Sequence, residues 1–151
     1  MTKEQLILLL KNYKENKAKL KLKLREKESI LRKIESLKNV SLSVTSYEEN
    51  SDIHSKNIIS DKVGNKASSN IDIESDLRQE LEKIENEIKE LETKLEEINI
   101  RLEVLKKRNK DILIKYYVEQ NTYQELAEEY KMSMRGIQKI VKNATEKMIK
   151  I

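Results

Sequence analysis

The chain has 151 residues, a net charge of +4 and a charged fraction of 38%, with no proline, no cysteine and two glycines. Without cysteine neither a disulfide nor a thiolate metal site can form, and one histidine, His54, excludes a multi-histidine centre. The only aromatics are six tyrosines, so slim helices rich in Lys, Glu, Leu and Ile are expected in place of a cavity-bearing enzyme.

No apolar run approaches the roughly 18 residues of a membrane span. The stretch Leu6 to Leu10 is too short for a signal peptide. A cytoplasmic protein with no membrane partner is expected. No nucleophile–base pair, phosphate loop or metal cluster stands out, so neither an enzyme nor a cofactor is expected.

Residues 1–38 read as one helix, from about Lys3 to Leu37. Thr2 and Gln5 have the spacing of a capping box, which satisfies amides left unpaired at a helix start. Leu6, Leu10, Tyr13, Leu20, Leu24, Leu31 and Ile34 recur with the 4-3 step of a heptad, with Lys17 and Lys27 in the off-pattern slots.

Residues 39–73 lose that rhythm. They are rich in Ser, Asn and Asp, contain Gly64, and carry apolar residues without period, as in a polar linker. His54 reads here as a solvated loop residue.

Residues 74–104 carry the cleanest run, which reaches one residue past them: Leu77, Leu81, Ile84, Ile88, Leu91, Leu95, Ile98, Leu102 and Leu105. Asp76, with Gln79 three residues on, is the expected N-cap. The rhythm resumes at Ile112 and Tyr116, so this helix is expected to run unbroken into the C-terminal unit. Met1 to Asn39 holds 12 basic and 5 acidic residues, a net of +7, while Glu74 to Val104 holds 5 and 11, a net of −6. Opposite charge across flanking positions favours an antiparallel hairpin, or coiled coil, of the two segments. A homodimer through the same stripes is the competing arrangement, and both stay open.

Residues 105–151 carry the functional signal. Leu105 to about Glu119 forms a first helix with Ile112, Leu113, Tyr116 and Tyr117 on its apolar face. Gln120-Asn121 breaks it. Thr122, with Glu125, caps a second helix, Tyr123 to Tyr130, and Ser133 caps a third. Ala127 is small enough for two steeply crossing helices to touch, Met132 plugs the turn, and Ile137, Ile140, Val141, Ala144 and Met148 face inward. This is the helix-turn-helix pattern that lets its second helix enter a DNA major groove.

From Lys131 to Ile151 there are six basic residues and one acid, a net of +5. Arg135, Lys139 and Lys142 share the face opposite Ile137 and Ile140. Arg135 and Gln138 are expected to read base edges and Met134 to add apolar contact. Lys131 and Ser133 approach the backbone, and Lys139 and Lys142 bind phosphate or bases. Gly136 removes bulk beside the groove. The tyrosines Tyr116, Tyr117, Tyr123 and Tyr130 read as core.

Arg108, Ile112, Tyr117, the run Thr122-Tyr123-Gln124-Glu125-Leu126-Ala127, Met132-Ser133 and Ile137 resemble the DNA-binding region four of bacterial sigma factors. The resemblance covers the last third of the chain and implies a third helix that reads promoter DNA, as that region reads the −35 element. With the helical N-terminus and the polar middle containing Asp61-Lys62-Val63, the layout is similar to phage late-transcription regulators of the ArpU and RinA type. That resemblance implies a phage or prophage protein that activates late genes and has double-stranded DNA and host RNA polymerase as partners. One departure concerns the turn: Lys131 stands where glycine is usual and must adopt or avoid a positive φ at some cost.

The expected architecture is all-α: a long antiparallel helical hairpin followed by a three-helix, sigma-region-four-like helix-turn-helix domain. The expected function is a sequence-specific DNA-binding transcription regulator. The alternatives are a phage small terminase subunit and a coiled-coil protein-interaction module.

Overall fold

The computed structural model describes the backbone of residues 1–48 and 56–151 and the side chains of 1–39 and 70–151. His54 lies outside the described residues. Six helices follow in order: α1 (Lys3–Lys11), α2 (Tyr13–Glu48), α3 (Lys56–Glu103), α4 (Lys107–Tyr117), α5 (Tyr123–Tyr130) and α6 (Met134–Ile149). No strand occurs among the described residues, so the all-α expectation holds.

Several boundaries differ from the sequence reading. The expected helix Lys3 to Leu37 is interrupted at Asn12 (φ −86°, ψ −1°). Helical bonding continues through the irregularity, from Asn12 N to the Leu8 carbonyl (3.0 Å) and from Asn16 N to the Asn12 carbonyl (2.8 Å). Helix α2 continues to Glu48 and α3 begins at Lys56, so helical backbone occupies much of the stretch 39–73 read as a linker. Asp76 is therefore a helix-interior residue and not an N-cap. A polar, non-periodic run removes the packing signal but supplies only weak breakers, because Ser and Asn cost a helix tenths of a kcal/mol each and one glycine, Gly64, about 1 kcal/mol. The second long helix does not run unbroken into the C-terminus. It stops at Glu103, and Lys106 turns extended (φ −63°, ψ 145°) before α4. The Leu105 amide bonds the Leu102 carbonyl across that turn at 3.1 Å, so Leu105 stays in the core while α4 takes a new course.

The residues group into two compact units: Met1–Lys21 with Lys89–Ile151, and Leu22–Ile88. In the first unit, Leu6 and Leu10 of α1 and Ile98 and Leu102 of α3 enter one core with α4 (Ile112, Leu113), α5 (Leu126, Ala127) and α6 (Ile137, Val141, Ala144, Met148). Leu6 and Leu10 are 0% exposed, and full burial of a leucine stabilises by about 1.5–3 kcal/mol. Helix α1 packs on α4 and α6, and its own start is closed by the reciprocal Thr2–Gln5 capping box. The Tyr13 hydroxyl bonds Asn99 Oδ1 at 3.0 Å.

The second unit is an antiparallel helix pair. Lys23 Nζ meets Glu87 Oε2 at 2.9 Å and Lys27 Nζ meets Glu85 Oε1 at 3.4 Å, so numbers rising along α2 meet numbers falling along α3. Ile30, Ile34, Ile84 and Ile88 are buried. The α3 stripe is as expected, but the α2 stripe is rotated. Leu24 and Leu31 are 41% and 44% exposed, whereas Ile30 is buried. Lys23 and Lys27 therefore flank the acidic partner. The hydrogen bond to Glu87 raises the Lys23 ammonium above its ordinary value and lowers the Glu87 carboxyl.

Candidate nucleic-acid interface

Helix α5 starts at Thr122, whose hydroxyl accepts from the Glu125 amide at 3.2 Å. It ends at Lys131, which adopts the left-handed conformation (φ 53°, ψ 46°). The Met132 amide donates to the Ala127 carbonyl (2.9 Å) and the Lys131 amide to the Glu128 carbonyl (3.4 Å), the double bond of a Schellman motif. Of the two courses open to Lys131, adopting or avoiding a positive φ, it adopts the positive φ. A second one, Gln120 (φ 58°), shapes the turn between α4 and α5; no glycine marks it in the sequence.

Ser133 opens α6, its hydroxyl accepting from the Gly136 amide at 3.1 Å. Ile137, Val141, Ala144 and Met148 are buried on one face of α6, at helical spacing. Ile140, expected to be inward, is only partly buried against the same core. On the other face Arg135, Gln138, Lys139 and Lys142 are exposed, again at helical spacing, and Met134 is 48% exposed at the helix start. Lys131 and Ser133 are exposed beside it. All seven residues singled out from the sequence thus lie on α6 or the turn before it.

Gly136 also has a reason internal to the turn. A Cβ there would meet Met132 Cε and Ser133 Oγ, each at 3.2 Å, so the glycine makes room for the turn plug and the cap.

Other side chains brace this arrangement: Arg101 and Lys115 carry no signal in the sequence, and Arg108 enters there only through the sigma-region-four resemblance. Arg101 Nη1 donates to the Met148 carbonyl at 2.6 Å, tying the last turn of α6 to α3. Arg108 Nη2 donates to the Met132 sulfur, holding the plug. Lys115 pairs with Glu129 and lies 5.2 Å from the Tyr130 ring, joining α4 to α5. The Glu129 bond raises the Lys115 ammonium. For Arg101 and Lys115 only charge spacing is visible in the sequence, and that spacing is common on any helix surface. Tyr116 stacks on Tyr123 (4.4 Å, 11°) and meets Tyr117 edge-on (4.8 Å, 75°). Burial raises the phenols of Tyr117 and Tyr123 above their ordinary value. The tyrosines expected in the core do pack against it.

A capped pair, α5 and α6, with a polar, basic face on the second helix is what a major-groove reader requires. Residues 101–149 match the family described as sigma-70, region 4. The match begins at the end of α3 and takes in α4, α5 and α6, so the sigma-region-four-like segment starts four residues ahead of the expected Leu105. No curated protein matches the chain, and no solved structure does. Among the described residues no group of three or more His, Cys, Asp or Glu could hold a metal ion, and no helix is long and apolar enough to cross a membrane.

Proposed function

We propose that the protein is a sequence-specific DNA-binding transcription regulator that reads the major groove with α6. The observation that carries this is the polar, basic face of α6, on a capped helix within the region that matches sigma-70, region 4. Arg135 and Gln138 contact base edges, Arg135 favouring guanine and Gln138 adenine, with Met134 against a thymine methyl. Lys131, Ser133, Lys139 and Lys142 hold the phosphate backbone; the Ser133 hydroxyl can donate outward while accepting the Gly136 amide.

The finer reading is a phage or prophage regulator that acts on late-gene promoters together with host RNA polymerase. It rests on the resemblance of the layout to the ArpU and RinA type. The uncovered Leu24 and Leu31 of α2 are where a homodimer would form. Footprinting with transcription by the host polymerase tests this reading: protection next to a late promoter and a raised transcript are expected. A ring-shaped oligomer protecting a packaging site would replace it with a small terminase subunit. Absence of salt-sensitive DNA affinity would leave a protein-interaction module.

A further inference from the structure

We propose that α1 and the first turn of α2 extend the DNA contact, with Lys11 and Lys14 binding the phosphodiester backbone of the duplex that α6 reads. This rests on the DNA-binding reading above.

Helix α1 belongs to the reader unit and does not merely lie near it. Leu6 and Leu10 share one core with Ile137 and Met148 of α6, so the position of α1 relative to the reader helix is fixed by packing. The neighbouring face of α1 is uncovered. Ile7, Lys11 and Asn12, with Glu15, line an open groove of about 890 Å³ whose other wall includes Gln120, Asn121 and Thr122, immediately ahead of α5. When a helix-turn-helix docks, the helix before the reader crosses the sugar-phosphate backbone, and phosphates collect at its first turn. A strand passing the start of α5 therefore passes Lys11.

The charges fit a polyanion. Residues 1–21 hold six lysines and two glutamates, a net of +4. The acid of the groove, Glu15, is taken up by Lys19 at 2.6 Å. Lys11 and Lys14 are exposed and enter no ion pair among the described residues. With Ile7 they stand at helical spacing, so Lys14 continues the Lys11 face. Both are lysines, which act as point charges and track phosphate without reading sequence. The contact therefore adds affinity and salt dependence, not base preference.

The test is fluorescence anisotropy of the full chain on its selected duplex and on a scrambled duplex, with the dissociation constant followed over salt. Each phosphate contact contributes about 0.9 to the slope of log affinity against log salt. The double variant Lys11→Ala/Lys14→Ala should lower that slope by about 1.8 and weaken both duplexes by the same factor. Lys11→Arg/Lys14→Arg should keep the slope. Both lysines are exposed, so the thermal melt should not move. An unchanged slope and affinity in the double variant, with Arg135→Ala still losing base preference, would overturn this inference and leave the reader standing. Failure of the parent chain to bind either duplex at low salt would overturn both.

Discussion

Replacing Leu10 with alanine should destabilise the reader unit, although Leu10 lies far from α6 in sequence. Leu10 is 0% exposed and shares a core with Ile112, Ile137 and Met148. The substitution removes three carbon groups, worth roughly 2.4 kcal/mol of transfer free energy at about 0.8 per group. The cavity left behind adds to this, and measured leucine-to-alanine costs span about 2–5 kcal/mol. Leu8, 59% exposed on the same helix, is the internal control, and Leu8→Ala should cost no more than about 0.5 kcal/mol. Urea unfolding followed by tyrosine fluorescence suits the measurement, since five of the six tyrosines lie in this unit. The expected result is a lower midpoint with an unchanged slope. A cost below about 1 kcal/mol for Leu10→Ala, or equal costs for the two variants, would refute the placing of α1 in the reader core.

Lys131→Gly should stabilise the chain by up to about 1 kcal/mol, because the left-handed conformation costs a lysine about 1–2 kcal/mol and glycine returns part of that as entropy; the same change should weaken DNA binding, which a paired melt and titration would show. Ser133→Ala removes the cap of α6 and should cost about 1 kcal/mol in denaturant unfolding. Arg101→Met removes the tie to the Met148 carbonyl, and amide exchange should quicken in the last turn of α6 while its first turns are unaffected. Raised phenols favour the fold only while protonated. The contribution of Tyr117 and Tyr123 is therefore fully present below pH 10, where unfolded tyrosine begins to ionise, and is lost as pH rises through their folded values. Tyrosinate absorbance should show these two ionising late and together with alkaline unfolding.

The α5–α6 pair was legible because its signals are local. Thr122 and Ser133 cap within three residues, and Ala127 and Ile137 sit at fixed offsets; that Lys131 adopts the positive φ is set by the folded turn. The place of α1 was not legible. A stripe of Leu6 and Leu10 is the same whether it faces a hairpin or the reader core, and it runs in rhythm into Tyr13 and Leu20. The break at Lys106 carries no glycine or proline, so the heptad rhythm of the sequence passes through it by way of Asn109. In α2, Leu24–Leu31 and Ile30–Leu37 both repeat at seven residues, and burial of Ile30 with the Lys23–Glu87 and Lys27–Glu85 pairs selects the second phase. The face of α6 was readable as a pattern, but the braces Arg101 and Arg108 depend on contacts made only after folding.

The central claim is that α6 reads bases. The most direct measurement selects duplexes from a random pool with the parent chain and with Arg135→Ala. A defined consensus from the parent is predicted, with one guanine position relaxed in the variant at a cost of about 1–3 kcal/mol in specific binding. An identical consensus and affinity from both proteins would contradict the assignment of Arg135, and no consensus from the parent would contradict the account of α6 as a reader.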